Sequence, residues 1–416
     1  MFNKQTKQFI PTFFTLLMVM GMGACDSIED LKSYKEQVFI KTFGGTGSEE
    51  SFDIKLLPDG GFVMVGSTTS FSAGDKDVYL VRADRFGNEL WSRSYGGPGN
   101  DIGRSVELTN DGGFIICGEF TELSGTKRDI YLIKTDDQGI ETNSTRLGIE
   151  NRDEVGTAVI ALPQGGYFVT GTNIDSSGFY LAELNDQLEV SPSKEKTNVG
   201  QDGFFNQSVA SARKSLTRYY CYGTSTESDV EVSKNTRNLY FFEFDPLGDN
   251  AISPKFIGTA NNETATSMCE LPDQGFILGG YTIIGDREQP YLVKINASGI
   301  VEWEVPYSRA SSSPGNTRIE SVKPTIDGGI VAVTTTERTN FGREIGIMKF
   351  DINGNVEWVN SFGGEGDDFA SAVVQLEDGS YVITGSMAFV IGSTATVNNK
   401  MFIIKANPQG QLTVEQ

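Results

Sequence analysis

The sequence predicts an all-β fold: a seven-bladed β-propeller of four-stranded antiparallel blades, closed by an N-terminal strand. Three observations carry this prediction. A turn motif recurs seven times, Asp-Gly turns separate short runs of alternating apolar residues, and no segment after the first 25 residues has the periodicity of an amphipathic helix. The 48 glycines among 416 residues exceed the average usage of ~7% and indicate many tight turns.

The repeated motif is Asp/Asn-x-x-Gly with an apolar residue or Trp four positions after the glycine. Asp84, Gly87 and Trp91 form a clear copy, and all three tryptophans of the chain hold the same place in the motif. The copies begin at Asp84, Asp136, Asn185, Asp245, Asn296, Asp351 and Asn407. The copy at Asn185 is degenerate, with Leu188 in place of glycine. Successive copies lie roughly 50 to 60 residues apart, a spacing typical of one four-stranded unit.

Each unit is predicted to contain four strands, as in the run SVELTNDGGFIICGEF followed by RDIYLIKTDDQG. An Asp-Gly turn, in which glycine supplies the positive φ, joins the first two strands. This turn recurs at Asp59, Asp111, Asp327 and Asp378, with variants at Gln164 and Asp273. Seven such sheets arranged radially form a propeller. The fourth unit, placed at 197–249, lacks the turn, so its register stays open.

An additional strand precedes the first unit. The stretch VFIKTFGG, Val38–Gly45, aligns with the outer strand WSRSYGG although no earlier unit exists to use it. The last unit lacks its glycine-rich corner, so we expect the N-terminal strand to complete blade seven. The alternative is that Leu412–Val414 fill this place. The first arrangement is favoured because an unpaired Val38–Phe43 would leave an exposed apolar strand edge.

The first residues have the features of a bacterial lipoprotein signal. Lys4 and Lys7 precede an apolar run, Phe13–Met22, that is too short to span a bilayer as a helix. Gly23, Ala24 and Cys25 resemble a lipobox, in which the cysteine is acylated and becomes the first mature residue. We therefore predict a signal peptide at 1–24, a lipidated tether at 25–37 and one propeller domain at 38–416. Ordinary secretion with a chance cysteine is the alternative.

The charge of the chain excludes one class of partner. The net charge is −21, and removal of residues 1–24 takes away two lysines and no acid, which leaves −23. A field of this sign repels nucleic acid, so no nucleic-acid binding is expected.

The composition also argues against an enzyme. There is no histidine, so Ser-His-Asp and Cys-His pairs are excluded. Cys117, Cys221 and Cys269 lie in separate apolar runs and are interpreted as buried free thiols. Paired carboxylates would suffice for glycoside hydrolysis, but nothing singles out two of the many acids.

The motifs W-S-R-S-Y-G-G-x-G-N-D, D-G-G-F and D-x-x-G-x-x-x-W together resemble the β-propeller repeats of bacterial lipoproteins. The resemblance covers roughly residues 38–414. It implies the propeller fold and a place in the cell envelope. It does not imply a ligand, because each motif is a common turn.

The glycine-rich corners, such as FGGEGDD at Phe362–Asp368, resemble part of a calcium-binding repeat. They recur one blade apart rather than every nine residues, so stacked calcium half-sites cannot form. Carboxylates follow five of these corners, at Glu49, Asp101, Asp153, Glu263 and Asp368. The favoured interpretation is that each caps backbone N–H groups. The alternative is an acidic rim that holds Ca²⁺ or a cationic partner. No other metal or cofactor is expected.

The strand order predicts two unlike faces. The tight-turn face carries the Asp-Gly and Asp-x-x-Gly turns. The long-loop face carries the glycine-rich corners and the variable segments 67–77, 119–129, 224–238, 281–289, 335–344 and 386–400. Binding usually resides on variable loops, so we expect it there. Aromatic and arginine side chains in these segments are the candidate contacts: Phe71, Phe120, Arg128, Arg287, Phe341, Arg343 and Phe389. Alternatively, each anchors its own loop.

The sequence therefore predicts a lipid-anchored propeller in the outer membrane of a Gram-negative bacterium, either periplasmic or surface-exposed. Its expected role is non-catalytic binding of a protein or glycan, with membrane contact only through the lipid. One alternative is an envelope glycoside hydrolase or lyase. A second alternative is a structural scaffold of an envelope complex.

Overall fold

The computed structural model describes residues 38–412 except 124, 126, 150–151, 176–177, 200–206, 214–218, 230–233, 246–251, 308–314, 339–341, 365 and 392–395. The predicted signal peptide, Cys25 and the tether lie outside the described residues, as do Phe341 and residues 413–416. The described residues form 29 strands. Within them, no helix is long and apolar enough to cross a membrane.

Strand β1 (Phe39–Phe43) precedes seven antiparallel sheets, each of which is one blade. The strands of the first four blades follow in chain order. Blade one contains β2 (Glu49–Leu56), β3 (Phe62–Thr68), β4 (Asp77–Ala83) and β5 (Glu89–Tyr95). Blade two contains β6 (Ile102–Leu108), β7 (Phe114–Thr121), β8 (Arg128–Thr135) and β9 (Glu141–Leu147). Blade three contains β10 (Glu154–Ala161), β11 (Tyr167–Asn173), β12 (Gly178–Leu184) and β13 (Val190–Val199). Blade four contains β14 (Gln207–Arg213), β15 (Tyr219–Asp229), β16 (Lys234–Phe244) and β17 (Ile252–Ile257).

The remaining strands form blades five to seven. Blade five contains β18 (Asn262–Glu270), β19 (Phe276–Ile284), β20 (Arg287–Ile295) and β21 (Val301–Pro306). Blade six contains β22 (Thr317–Pro324), β23 (Ile330–Arg338), β24 (Gly342–Phe350) and β25 (Val356–Phe362). A short β26 (Gly366–Asp367) pairs in parallel with β24. Blade seven contains β27 (Phe369–Gln375), β28 (Tyr381–Ile391), β29 (Thr396–Ala406) and β1. The predicted fold class is confirmed.

The N-terminal strand closes the ring. β1 pairs antiparallel with β29, from Phe39 opposite Lys405 to Phe43 opposite Met401. Phe43 is buried in a cluster that also contains Met401 and residues of blade one. The prediction of an N-terminal closing strand is confirmed, and β29 ends at Ala406, so Leu412 does not fill that place in the described chain. Main-chain hydrogen bonds thus join the two ends of the propeller.

The Asp-x-x-Gly motif links neighbouring blades. The Asp84 carboxylate accepts the N–H groups of Phe86 and Asn88, both at 2.8 Å, and Gly87 has φ 74°. A Cβ added to Gly139, the glycine of the next blade's turn, would lie 2.7 Å from the Trp91 ring. Trp303 and Trp358 pack in the same way on the glycines of the blades that follow them. The tryptophans of the repeat are therefore contacts between blades.

The Asp-Gly turns carry a second repeated contact. The aspartate of the turn forms an ion pair with a lysine or arginine on the third strand of the same blade. Five blades have it: Asp59–Arg82, Asp111–Lys134 at 2.9 Å, Asp273–Lys294 at 3.1 Å, Asp327–Lys349 at 3.0 Å and Asp378–Lys405 at 3.1 Å. Four of the cations are buried and Lys134 is partly buried, whereas most of the aspartates are exposed. The ion pairs therefore connect the turns to the core of each blade.

Two sequence predictions need correction. Blade four runs from Gln207 to Ile257 rather than over 197–249, because residues up to Val199 belong to the outer strand of blade three. Four of the predicted loops are largely hairpin: the strand pairings extend to Asp229 with Lys234, Ile284 with Arg287, Arg338 with Gly342, and Ile391 with Thr396. Strand pairing satisfies backbone groups that a loop would leave to water.

The first strands of adjacent blades contact one another and surround a central channel. Each has a β-bulge at the same place, for example between Ser51 and Asp53 in β2 and between Ile319 and Ser321 in β22. A bulge redirects a side chain. The channel contains a cavity of about 210 Å³, called here the channel cavity, which is lined by the inner strands of six blades. The bulge residues of these six blades face it: Phe52, Arg104, Thr157, Thr266, Glu320 and Ser371.

Candidate functional site

The long-loop face has a cavity of about 220 Å³ beside the channel, called here the mouth cavity. Blades five, six and seven supply its walls. It is lined by Glu288, Asn316, Arg318, Glu320, Thr335, Glu337, Arg343 and Phe369. Two arginines, three glutamates and one phenylalanine thus lie together in a small space.

One wall is a bidentate ion pair. Arg318, on β22, donates two N–H groups to the carboxylate of Glu288 on β20, one of them at 2.7 Å. The guanidinium also lies over the Tyr281 ring, 5.1 Å from its centroid. The pair joins blade five to blade six and fixes the plane of the guanidinium, which retains N–H donors that Glu288 does not use.

The opposite wall is held more loosely. Asn316 donates to Glu337 at 2.9 Å, and the Arg343 guanidinium lies 3.4 Å from Glu337 and 3.9 Å from Asp367. Arg343 also lies over the Phe369 ring, 5.0 Å from its centroid. Because these charged contacts are long, the N–H groups of Arg343 remain available to a ligand.

Glu320 forms the floor, where the mouth cavity meets the channel. Burial raises the pKa of Glu320 to about 7, against the opposing effects of a hydrogen bond with Thr335 and the charges of Arg318 and Arg343. The carboxyl group therefore changes its charge near neutral pH, and its protonated form can donate a hydrogen bond.

The sequence-predicted binding residues are scattered over the long-loop face. Of them, only Arg343 lines the mouth cavity among the described residues. Phe71 is 50% exposed and packs against Tyr79, whereas Arg287 and Phe389 are exposed on other hairpins. Most of the described candidates therefore do not converge on one site.

Two of the candidates are structural. Phe120 is 6% exposed, contacts Tyr131 edge-on and lies under the Arg146 guanidinium, 3.5 Å from its ring centroid. Arg128 forms a bidentate pair with Asp153, with contacts of 2.9 and 2.8 Å, and a further bond of 3.0 Å with Glu119. Both side chains anchor their own loop, which was the alternative stated for these residues.

The corner carboxylates cap backbone groups. Asp101 accepts the N–H groups of Gly97 at 2.6 Å and Thr121 at 3.1 Å. Asp368 accepts those of Gly364 at 2.8 Å and Ala388 at 2.9 Å. Burial raises the pKa of Asp101.

The other corners vary this pattern. Glu49 bonds Thr68 at 3.2 Å and Lys400 at 2.8 Å, and Glu263 accepts the hydroxyls of Thr259 at 2.7 Å and Thr282 at 2.9 Å. In blade three the equivalent residue is Glu154 and not Asp153, because Glu154 accepts Asn173 at 2.9 Å while Asp153 holds Arg128. Among the described residues, no group of three or more metal-ligating side chains converges.

The tight-turn face also has a cleft, of about 980 Å³, at the seam between blades seven and one. Phe39, Leu56, Pro58, Phe86 and Lys405 contribute to its walls. The sequence predicts only short turns on this face and did not anticipate the cleft. It arises where β1 enters the propeller beside the turns of blade one.

Sequence reasoning missed most of the mouth cavity. Arg318 and Glu320 lie on an inner strand. On such a strand, the alternation of side chains between the two faces of the sheet predicts only packing against the neighbouring blades. Alignment of the repeats could have indicated these residues, because RIESVKP in blade six has charged residues where FASAVVQ in blade seven has none. The bulge that turns Glu320 into the channel cannot be recognised in the sequence.

Comparison with known proteins identifies the fold. No protein-family model matches the chain, and no curated protein matches it in sequence. A puromycin hydrolase S511A mutant complexed with PGG superimposes with a TM-score of 0.51 at 12% identity, over 88% of this chain and 53% of that chain. Drosophila Semaphorin 2a gives 0.51 at 9% identity, over 90% and 75%. A Dyadobacter fermentans protein of unknown function gives 0.47 at 9%, over 89% and 98%. At these identities the likeness is one of fold alone.

Proposed function

We propose that this protein is a lipid-anchored, non-catalytic binding module that recognises a protein or glycan ligand through its long-loop face. The mouth cavity carries the proposal. It combines two arginines stacked on aromatic rings, carboxylate acceptors and an amide, which together suit a ligand rich in hydroxyl, amide or carboxylate groups.

The size of the cavity limits what it can hold. A volume of about 220 Å³ lies below the ~300–1,000 Å³ typical of sites that enclose a whole ligand. One sugar ring or one side chain fits. The rest of the ligand would extend across the face, where Phe71 and Phe389 are exposed.

Anchoring at Cys25 and membership of the lipoprotein repeat family are parts of the same proposal. Their support is the lipobox-like Gly23-Ala24-Cys25 and the repeat motifs. The position of β1 indicates on which face of the propeller the anchor is attached. Phe39 packs on Gly87 of a tight turn, so the chain enters the propeller from the tight-turn face. The anchor is then attached on that side, and the long-loop face is free to meet a ligand.

An envelope glycoside hydrolase is the second candidate, and Glu320 favours it. A carboxyl group with a pKa of about 7 is suited to act as a general acid. The reaction also requires a second, free carboxylate. The nearest candidates, Glu288 and Glu337, are bound to Arg318 and Arg343, so binding is the preferred function.

A glycan array probed with residues 26–416 tests the proposal, together with a cross-linking search for protein ligands on intact cells. We expect one ligand class whose binding falls at least tenfold in Arg343→Ala and is unchanged in Asp137→Ala, on the tight-turn face. Equal loss in both variants would contradict the assigned face. Release of shortened products from a bound glycan would support the hydrolase instead.

A further inference from the structure

The channel contains a lysine without a counter-ion. Lys323, near the end of β22, lines a channel cavity of about 210 Å³. Among the described residues, no ion pair or hydrogen bond reaches its ammonium group. Lys323 is partly exposed to the channel. By contrast, the buried lysines of the described chain each have a carboxylate partner: Lys294 with Asp273, Lys349 with Asp327, Lys400 with Glu49 and Lys405 with Asp378.

The charges around Lys323 do not neutralise it. Asp53 and Glu107 line the same cavity, and both are bound to Lys55, at 3.5 and 3.3 Å. Burial and the charge of Lys55 lower the pKa of Lys323, while Asp53, Cys269 and Glu107 oppose that change. An unpaired ammonium group in such surroundings is costly, and a bound anion would offset the cost.

The other walls of the channel cavity supply hydroxyl groups. The Thr157 and Thr266 hydroxyls donate to the carbonyls of Thr170 and Gly279, at 3.1 and 3.2 Å. The available hydroxyls are those of four serines: Ser105, Ser267, Ser321 and Ser371. A hydroxyl can donate a hydrogen bond to an anion, and an ammonium group provides three donors. The volume of about 210 Å³ would hold roughly seven waters at ~30 Å³ each, which is room for a small oxyanion and part of its hydration.

We propose that the channel binds a small oxyanion, a carboxylate or a phosphate, at Lys323. This site is distinct from the mouth cavity, where both arginines already contact carboxylates, and it does not depend on the function proposed for that face. Lys323 lies near the tight-turn end of its strand, so the anion enters from that side. Because the chain carries a net charge of −21, we expect weak affinity, on the order of millimolar.

Thermal unfolding in inorganic phosphate or acetate, compared with chloride at equal ionic strength, is the first test. At tenfold excess over Kd we expect a specific rise in Tm of about 2 °C. Phosphate also stabilises proteins by exclusion from their surfaces. The test therefore compares the rise in Tm between variants. We expect the specific part of the rise to be absent in Lys323→Met and present in Lys255→Met. Lys255 is a suitable control because it donates to the Ser298 carbonyl at 2.7 Å on an outer strand.

An NMR titration of lysine ε-carbons in the wild-type protein is the second test, and it does not require the variant to fold. We expect phosphate or acetate to raise the pKa of Lys323 and to leave the chemical shift of the Lys255 ε-carbon unchanged. The proposal is overturned if the Lys323 signal does not respond to either anion at 50-fold the expected Kd. It is equally overturned if Lys323→Met folds and shows the same anion-dependent rise in Tm as the wild type.

Discussion

At the scale of the residue, position on the fold decides what each acidic side chain does. Asp101 and Asp368 follow glycine-rich corners, where their carboxylates accept backbone N–H groups from both sides. Glu320 is on a bulge and faces both the mouth cavity and the channel. The same functional group therefore stabilises a turn in one place and lines a cavity in another.

Glu320 makes stability depend on pH. Its pKa of about 7 in the folded state lies above the ~4.3 of an unfolded glutamate, so the folded state holds a proton that the unfolded state has lost between these values. Its contribution to stability is complete below pH ~4.3 and is lost as the pH rises through 7. We expect Glu320→Gln to flatten the fall in Tm between pH 4.5 and 7, measured against Glu377→Gln on an exposed turn. Parallel curves for the wild type and both variants would contradict this expectation.

At the scale of the element, the four-stranded blade is stabilised by contacts that reach its neighbours. Trp303 packs on Gly354 of the next blade and donates its indole N–H to the Ile352 carbonyl at 3.0 Å. At the same place in blade two, Asn143 donates to the Gln187 carbonyl at 2.8 Å. The position four residues after the motif glycine thus contacts the turn of the following blade, and different side chains make that contact.

Two glycines test the contact between blades. Gly139 and Gly112 both have positive φ, 71° and 87°, so alanine is strained at either place. Only at Gly139 would the added Cβ meet the Trp91 ring, at 2.7 Å, whereas nothing lies within 4 Å at Gly112. We expect Gly139→Ala to cost about 1–3 kcal/mol more than Gly112→Ala in chemical denaturation. Equal losses would mean that the ring moves aside freely.

β1 is the element that closes the ring. Removal of residues 1–42 deletes most of β1 and leaves β29 with an unpaired edge, whereas removal of residues 1–33 leaves the strand whole. We expect the first truncation to lower Tm by far more than the second, measured on the two purified proteins side by side. Similar Tm values would show that the ring is stable without the main-chain bonds between β1 and β29.

At the scale of the whole molecule, the proposed lipid anchor predicts different surroundings for the two faces. Twelve residues separate Cys25 from Val38. The chain enters the propeller at the tight-turn face, where Phe39 packs on Gly87. A lipid at Cys25 would therefore hold the tight-turn face closer to the membrane than the long-loop face.

This orientation can be measured with single cysteines, because Cys117, Cys221 and Cys269 are buried. Asp137→Cys places a label on the tight-turn face and Asp286→Cys places one on the long-loop face, both on exposed turns. In lipidated protein on vesicles with quencher lipids, we expect stronger quenching of the label at position 137.

Stronger quenching at position 286 would reverse the orientation. A separate control addresses the anchor itself. In Cys25→Ser, palmitate labelling and quenching of both labels should be lost. Normal palmitate labelling of Cys25→Ser would instead show that the lipid is attached elsewhere, and the face assignment would then be tested independently of Cys25.

The sequence by itself determined the number of blades, the four-stranded unit, the strand that closes the ring and the two kinds of face. These features follow from turns such as Asp84–Gly87, whose geometry depends on residues adjacent in the chain. Tertiary structure alone decided the rest. Packing between residues distant in the chain buries Phe120 under Arg146 and pairs Arg128 with Asp153. It also assembles the mouth cavity from three blades. It also left Lys323 without a counter-ion among the described residues. Burial and pairing depend on packing between blades, which residues far apart in the chain determine together.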